Sequence, residues 1–163
     1  MASLNVNPPR KLTEASTGTA RDFDANDAAS IIHHVTAARA VLRTVVLAVS
    51  AQNDGSIQFE HNTTDRWQPA LAVACVKLVA VREVLTETRN APPIDCFTSL
   101  TLVEAVDAAL WHGSAGVHGD PLDDVELEIV ARVAIESLDA LMRDCEREGV
   151  FNMGDVKVAA DLH

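Results

Sequence analysis

Residues 30–52 read SIIHHVTAARAVLRTVVLAVSAQ, an apolar stretch with two adjacent histidines and two arginines set into it. Extended back to Ala28, the apolar positions are Ala28, Ile31, Val35, Ala38, Leu42, Val45 and Val49. They alternate in steps of three and four. That spacing keeps one stripe on one side of a helix and specifies packing at a shallow angle against another helix. Asn26 or Asp27 is predicted to cap the N-terminus, with Asp27 also favoured in the first turn. With Ala28 at heptad position a, His33 falls at f and His34 at g. Adjacent helical residues diverge by roughly 100°, so the two imidazoles cannot chelate one ion from this helix. His33 points away from the seam and His34 flanks it. A metal ligand at His34 would need partners from another helix.

The rest of the chain carries the same texture. It has 163 residues, of which 48% are apolar and only 4% aromatic, with no tyrosine. That is enough for one domain with a core, and a core of Ala, Val and Leu favours helix on helix over a β-sandwich. No uncharged apolar run reaches the roughly 18 residues that a membrane span needs. The opening MASLNVNPPRKLTEASTGTARDFD has no apolar h-region, so no secretory signal is expected. Cys75, Cys96 and Cys145 lack metal-like spacing and read as reduced thiols of a cytoplasmic protein. A net charge of -11 disfavours direct binding to nucleic acid or to an anionic membrane. Arginine outnumbers lysine in an Ala- and Val-rich chain, which points to a bacterial or phage source.

Four helices are predicted. Residues 1–25 read as a flexible polar tail, 26–148 as a four-helix bundle and 149–163 as a C-terminal tail packed on it. The connector Gln52–Asp65, QNDGSIQFEHNTTD, is longer than a helical hairpin ordinarily uses. Pro69, tolerated only in a first turn, opens the second helix. Its stripe is Trp67, Leu71, Ala74, Leu78, Val81, Leu85 and Thr88, and Asn90–Pro93 stops it. Val73, Val76 and Val79 lie off the stripe, so this helix is apolar on two faces and is either central or part of an oligomer interface. The third helix covers about Phe97 to His112, with Thr101-x-x-Glu104 as a candidate capping box within it or at its start. Asp120 as N-cap and Pro121 as first residue open the fourth, which runs to Glu148 with Gly149 as a C-cap. Residues 73–87 align with 130–144 at a shift of 57, matching Val73 with Val130, Ala74 with Ala131 and Val76 with Val133. The bundle thus reads as two helical hairpins, related by duplication or only by shared composition.

Little here looks like chemistry. His112, His118 and Asp120, around the glycine-rich loop GSAGVHGD, are the candidate metal ligands, but their spacing matches no motif with known geometry. The loop lacks the Gly-Lys-Ser/Thr ending of a phosphate cradle, and no nucleophile elbow is present. No cofactor is expected. From Asp120 to Glu148 the chain has ten acidic residues against three arginines. Asp123, Asp124, Glu126 and Glu128 crowd the helix start, where negative charge is favoured. The expected function is therefore protein–protein contact without catalysis, as an adaptor, regulator or self-associating homodimer. The candidate interaction residues are Val73, Val76 and Val79 together with Asp123, Asp124, Glu126 and Glu128. One alternative is an acidic inhibitor or antitoxin that occupies the basic, nucleic-acid-binding surface of a target. The other is a metal protein or enzyme built on His112, His118 and Asp120.

Overall fold

The computed structural model describes residues 21–58, 64–114 and 123–151. They form α1 (Ala25–Asn53), α2 (Gln68–Glu87), α3 (Phe97–Ser114) and α4 (Asp124–Arg147), with a 3-10 turn, Thr64–Trp67, leading into α2. No strand occurs among the described residues. The fold is all-α, a four-helix bundle.

Its handrails are polar contacts between helices. Arg39 pairs with Asp139, Arg132 donates to Ser50 Oγ at 3.4 Å, and Asn53 Nδ2 donates to Glu128 at 3.3 Å. Numbers rising along α1 meet numbers falling along α4, so the two helices are antiparallel. α1 packs on α2 and α4, and α3 packs on the same two. α1 and α3 therefore sit at opposite corners. Between α3 and α4 the hydroxyls of Ser99 and Ser137 share a hydrogen bond of 2.8 Å, which satisfies the buried Ser99 inside an apolar seam.

The α1 stripe lies where the spacing puts it: Ile31, Val35, Ala38, Leu42, Val45 and Val49 are all buried, with Ala28 half-buried beside them. α2 contributes Leu71, Ala74, Leu78 and Val81, and α3 contributes Leu100, Val103, Val106 and Leu110. α4 buries a stripe of its own. Leu127, Ala131, Ala134, Leu138, Leu141 and Cys145 are buried, while Ile135 and Met142 only flank the core. The buried positions of α2 and α4 superpose at a shift of 60 (Leu71 on Ala131, Leu78 on Leu138), not 57, and the shift of 60 also gives four identities (Val73/Val133, Ala74/Ala134, Leu78/Leu138, Ala80/Ala140) against three at 57. Shared composition accounts for the alignment at 57, and shared heptad packing accounts for the one at 60.

Helix starts are where the sequence reading goes astray. α1 is capped by Asp24, not by Asn26 or Asp27. The Asp24 carboxylate accepts from the Asn26 and Asp27 amides at 2.7 and 3.1 Å, and Asp27 returns the bond to the Asp24 amide at 3.0 Å. This reciprocal box uses Asp in the place where Glu or Gln is usual. Asp27 is buried, and Arg21 closes over it with both guanidinium nitrogens. Arg21 and Phe23 in turn join the end of α2: the Phe23 amide donates to Arg89 at 2.9 Å and the Arg89 amide to Arg21 at 2.8 Å. These contacts tie residues 21–23 to the end of α2. The turn that lets Arg89 reach this strip places Asn90 at φ 55, a conformation Asn tolerates better than most residues.

α4 likewise starts at Asp124 with Asp123 as cap. Asp123 accepts from the Glu126 amide at 2.7 Å, and Glu126 accepts from the Asp123 amide at 3.1 Å. Asp120 and Pro121, the expected start, lie outside the described residues. Thr101 and Glu104 sit inside α3 and do not cap it; Asp95 accepts from the Phe97 amide at 2.8 Å instead. At the end of α4, Gly149 has φ 74. The Gly149 amide bonds to Glu146 and the Val150 amide to Cys145, the paired closure that a left-handed glycine permits. Val150 and Phe151 then turn back into the core, and the rest of the C-terminal tail lies outside the described residues. The first connector shortens to residues 54–63, because α1 runs on to Asn53 and the 3-10 turn begins at Thr64.

Candidate functional site

The histidine pair sits as the wheel places it. His33 is exposed and His34 half-buried against α2, with ring centroids 5.3 Å apart at 66°. Burial, with nearby Lys77 and His33, lowers the His34 pKa below its ordinary value. Its Nδ1 is buried without a hydrogen-bond partner among the described residues. No group of three or more His, Cys, Asp or Glu able to hold a metal occurs among the described residues. The expected candidates are not tested by this: the side chain of His112, and all of His118 and Asp120, lie outside them.

The three thiols are free. Burial pushes Cys75 and Cys145 up to about 11, with Asp107 and Glu104 adding to the effect at Cys75 and Asp144 at Cys145. Cys96 is raised by burial as well. A thiol must lose its proton to act as a nucleophile, so near neutrality these three are packing groups. Cys96 also lines a shallow depression of about 490 Å³ between the end of α2 and the Ala91–Phe97 segment, with Arg82 and Asp95 at its edge. No histidine or second acid is among its lining residues, so it assembles no acid–base pair.

The outer faces are more informative. Val73 and Val76 on α2 are 47% and 66% exposed, and both point away from the bundle. Val79 does not join them. It lies roughly 100° further round than Leu78, on the α3 side, and packs half-buried on the core. The α2 patch is therefore Val73 and Val76, with exposed Pro69 and Ala72 beside them. A second patch was not foreseen: Val125, Ile129 and Val133 on α4, all about half-exposed or more. The signal for it is present, since apolar residues recur at i, i+4 and i+8 on the side opposite the core stripe.

The acidic residues of α4 do not form one face. Asp123 and Glu126 complete the N-terminal cap, and the side chain of Asp124 lies outside the described residues. Glu128 is held by Arg132 at 2.6 Å, which lowers its pKa. Asp139 pairs with Arg39, and Asp144 and Glu148 with Arg147. Glu136 and Glu146 carry no ion pair among the described residues.

No family model, no curated protein and no solved structure matches this chain.

Function must therefore be argued from these surfaces. α1 alone among the described helices is long and apolar enough, by length and composition, to cross a bilayer. Its apolar stripe nevertheless faces α2 and α4, and Arg39 within it is paired across the seam.

Proposed function

We propose that this chain is a small acidic helical-bundle protein that acts through protein–protein contact, without catalysis, and that it self-associates as a homodimer in the cytoplasm. One observation carries the reading: Val73 and Val76 are exposed on a helix whose core stripe is already complete. An apolar patch on an element that needs no more burial is a contact surface. A twofold axis beside α2 covers the patch on both copies at once. Over its length α2 is balanced in charge, with Lys77 and Arg82 against Glu83 and Glu87, unlike the acidic chain as a whole. The raised thiol pKa values support a non-catalytic role. With Glu128, Asp139, Asp144 and Glu148 in ion pairs, α4 lacks the continuous acidic face that an inhibitor or antitoxin covering a nucleic-acid-binding surface would present, which favours this reading.

The test is light scattering on wild type and Val76→Glu. Wild type is expected to be a dimer and the variant a monomer with unchanged far-UV circular dichroism. A wild type that is monomeric at high micromolar concentration refutes self-association.

A further inference from the structure

The unforeseen α4 patch has a different character from the α2 patch. Val125, Ile129 and Val133 lie one turn apart along the outer side of α4, and Ile129, at their centre, is 57% exposed. They span about 12 Å of helix, a length that two to three turns of a second helix would cover. Their surroundings are acidic. Glu126 and Glu136 are exposed on either side. Arg132, on α4 beside the stripe, is bound by Glu128 through its Nε and one terminal nitrogen, at 3.0 and 2.6 Å. A second copy is a poor occupant, since it would bring the same acidic borders against themselves. The complementary occupant has an apolar stripe at i, i+3 or i+4, and i+7, with lysine or arginine on its flanks.

We propose that the outer face of α4, centred on Ile129, docks a basic amphipathic helix of another protein. The docking is helix against helix: aliphatic anchors supply affinity, and Glu126 and Glu136 set orientation and charge selection. This rests on the interaction reading above but uses a surface separate from α2. Self-association can therefore fail while α4 docking stands, or the reverse.

The probe is a designed, fluorescently labelled helical peptide of leucine and lysine, about eighteen residues or five turns long, with a leucine–glutamate counterpart. Binding is measured by anisotropy at about 150 mM salt, where weak long-range attraction is screened. The leucine–lysine peptide is expected to bind one per chain and the leucine–glutamate peptide not to bind. Ile129→Ser, which leaves the charge unchanged and alters a side chain outside the core, is expected to weaken binding about tenfold or more. Val125→Ser is expected to act in the same direction, with both variants melting like wild type. Val76→Glu is expected to leave peptide affinity unaltered. Affinity that is indifferent to Ile129→Ser and Val125→Ser means that the peptide adheres by charge alone, and overturns the proposal. Equal binding of the glutamate peptide, or no binding of either, overturns it too.

Discussion

α1 contains two leucines, five residues apart, in opposite surroundings. Leu42 is 0% exposed and Leu47 67% exposed. Truncating each to alanine removes the same atoms from the same helix, so any difference in cost is a measure of burial alone. At Leu42 the change forfeits the whole transfer free energy and leaves a cavity between α1, α2 and α4. Leu→Ala changes at such sites cost about 2.7–5 kcal/mol. At Leu47 about a third of the side chain is covered, so the loss is under about 1 kcal/mol of the roughly 1.5–3 kcal/mol that full burial of a leucine is worth. Alanine's slightly better helix propensity offsets part of that. Urea titrations followed at 222 nm give both values, with a common m-value as the check that neither variant alters the denatured state. In melting temperature, about 2–4 °C per kcal/mol for a chain of this size, Leu42→Ala falls by roughly 6–20 °C and Leu47→Ala by no more than a few degrees. Equal losses at the two sites, or a larger loss at Leu47, would mean that α1 is not turned as described.

Acid is expected to destabilise the fold in two stages. Below pH 6.5, the ordinary value for His34, the unfolded chain takes up a proton before the folded chain does, so stability falls as pH falls; His34→Gln should abolish this first stage. The second stage begins near pH 4.5, where Glu128, and then Asp27 and Asp54, each held below its ordinary value in the fold, protonate first in the unfolded chain; chemical denaturation across the pH range shows both. With Ellman's reagent near neutral pH, Cys96 and Cys145 should be unreactive in the native protein and all three cysteines titratable once it is denatured. Rapid native reaction at the two buried thiols would contradict their placement.

What was legible in the sequence follows physical range. The α1 stripe is legible because seven apolar positions obey one spacing and the core lies on that side alone. The cap at Asp24 is not, because its partner at N3 is another aspartate and the segment before it is tied by backbone bonds to Arg89, beyond the end of α2. At α4 two local signals competed: Asp120-Pro121 and Asp123-x-x-Glu126 are both plausible starts three residues apart, and the second describes the helix that is seen. Val79 differs from Val73 and Val76 in burial for a related reason. Three valines off a stripe look alike in a wheel, and only the position of α3 covers Val79 while leaving Val73 and Val76 bare. Of the candidate site, the exposure of Val73 and Val76 was legible and the α4 patch was not, because acidic residues interleave its i, i+4 and i+8 spacing.

Those charges bear on how the chain selects partners. Surface ion pairs such as Glu128–Arg132 contribute about 0–1 kcal/mol each, and a cap contributes about 1 kcal/mol, so the carboxylates of α4 do not hold the bundle together. Four of them, Glu128, Asp139, Asp144 and Glu148, are paired with Arg39, Arg132 and Arg147, which leaves less unpaired charge than the sequence total implies. Residual charge acts on encounter, by repelling acidic surfaces at distances up to about the Debye length of 8–10 Å. Affinity must then come from desolvating Val73 and Val76 on one side and Val125, Ile129 and Val133 on the other. Under the two proposals above, an apolar patch on α2 and an acid-bordered one on α4 would give a single small bundle two faces that discriminate by charge between a copy of itself and a basic helix.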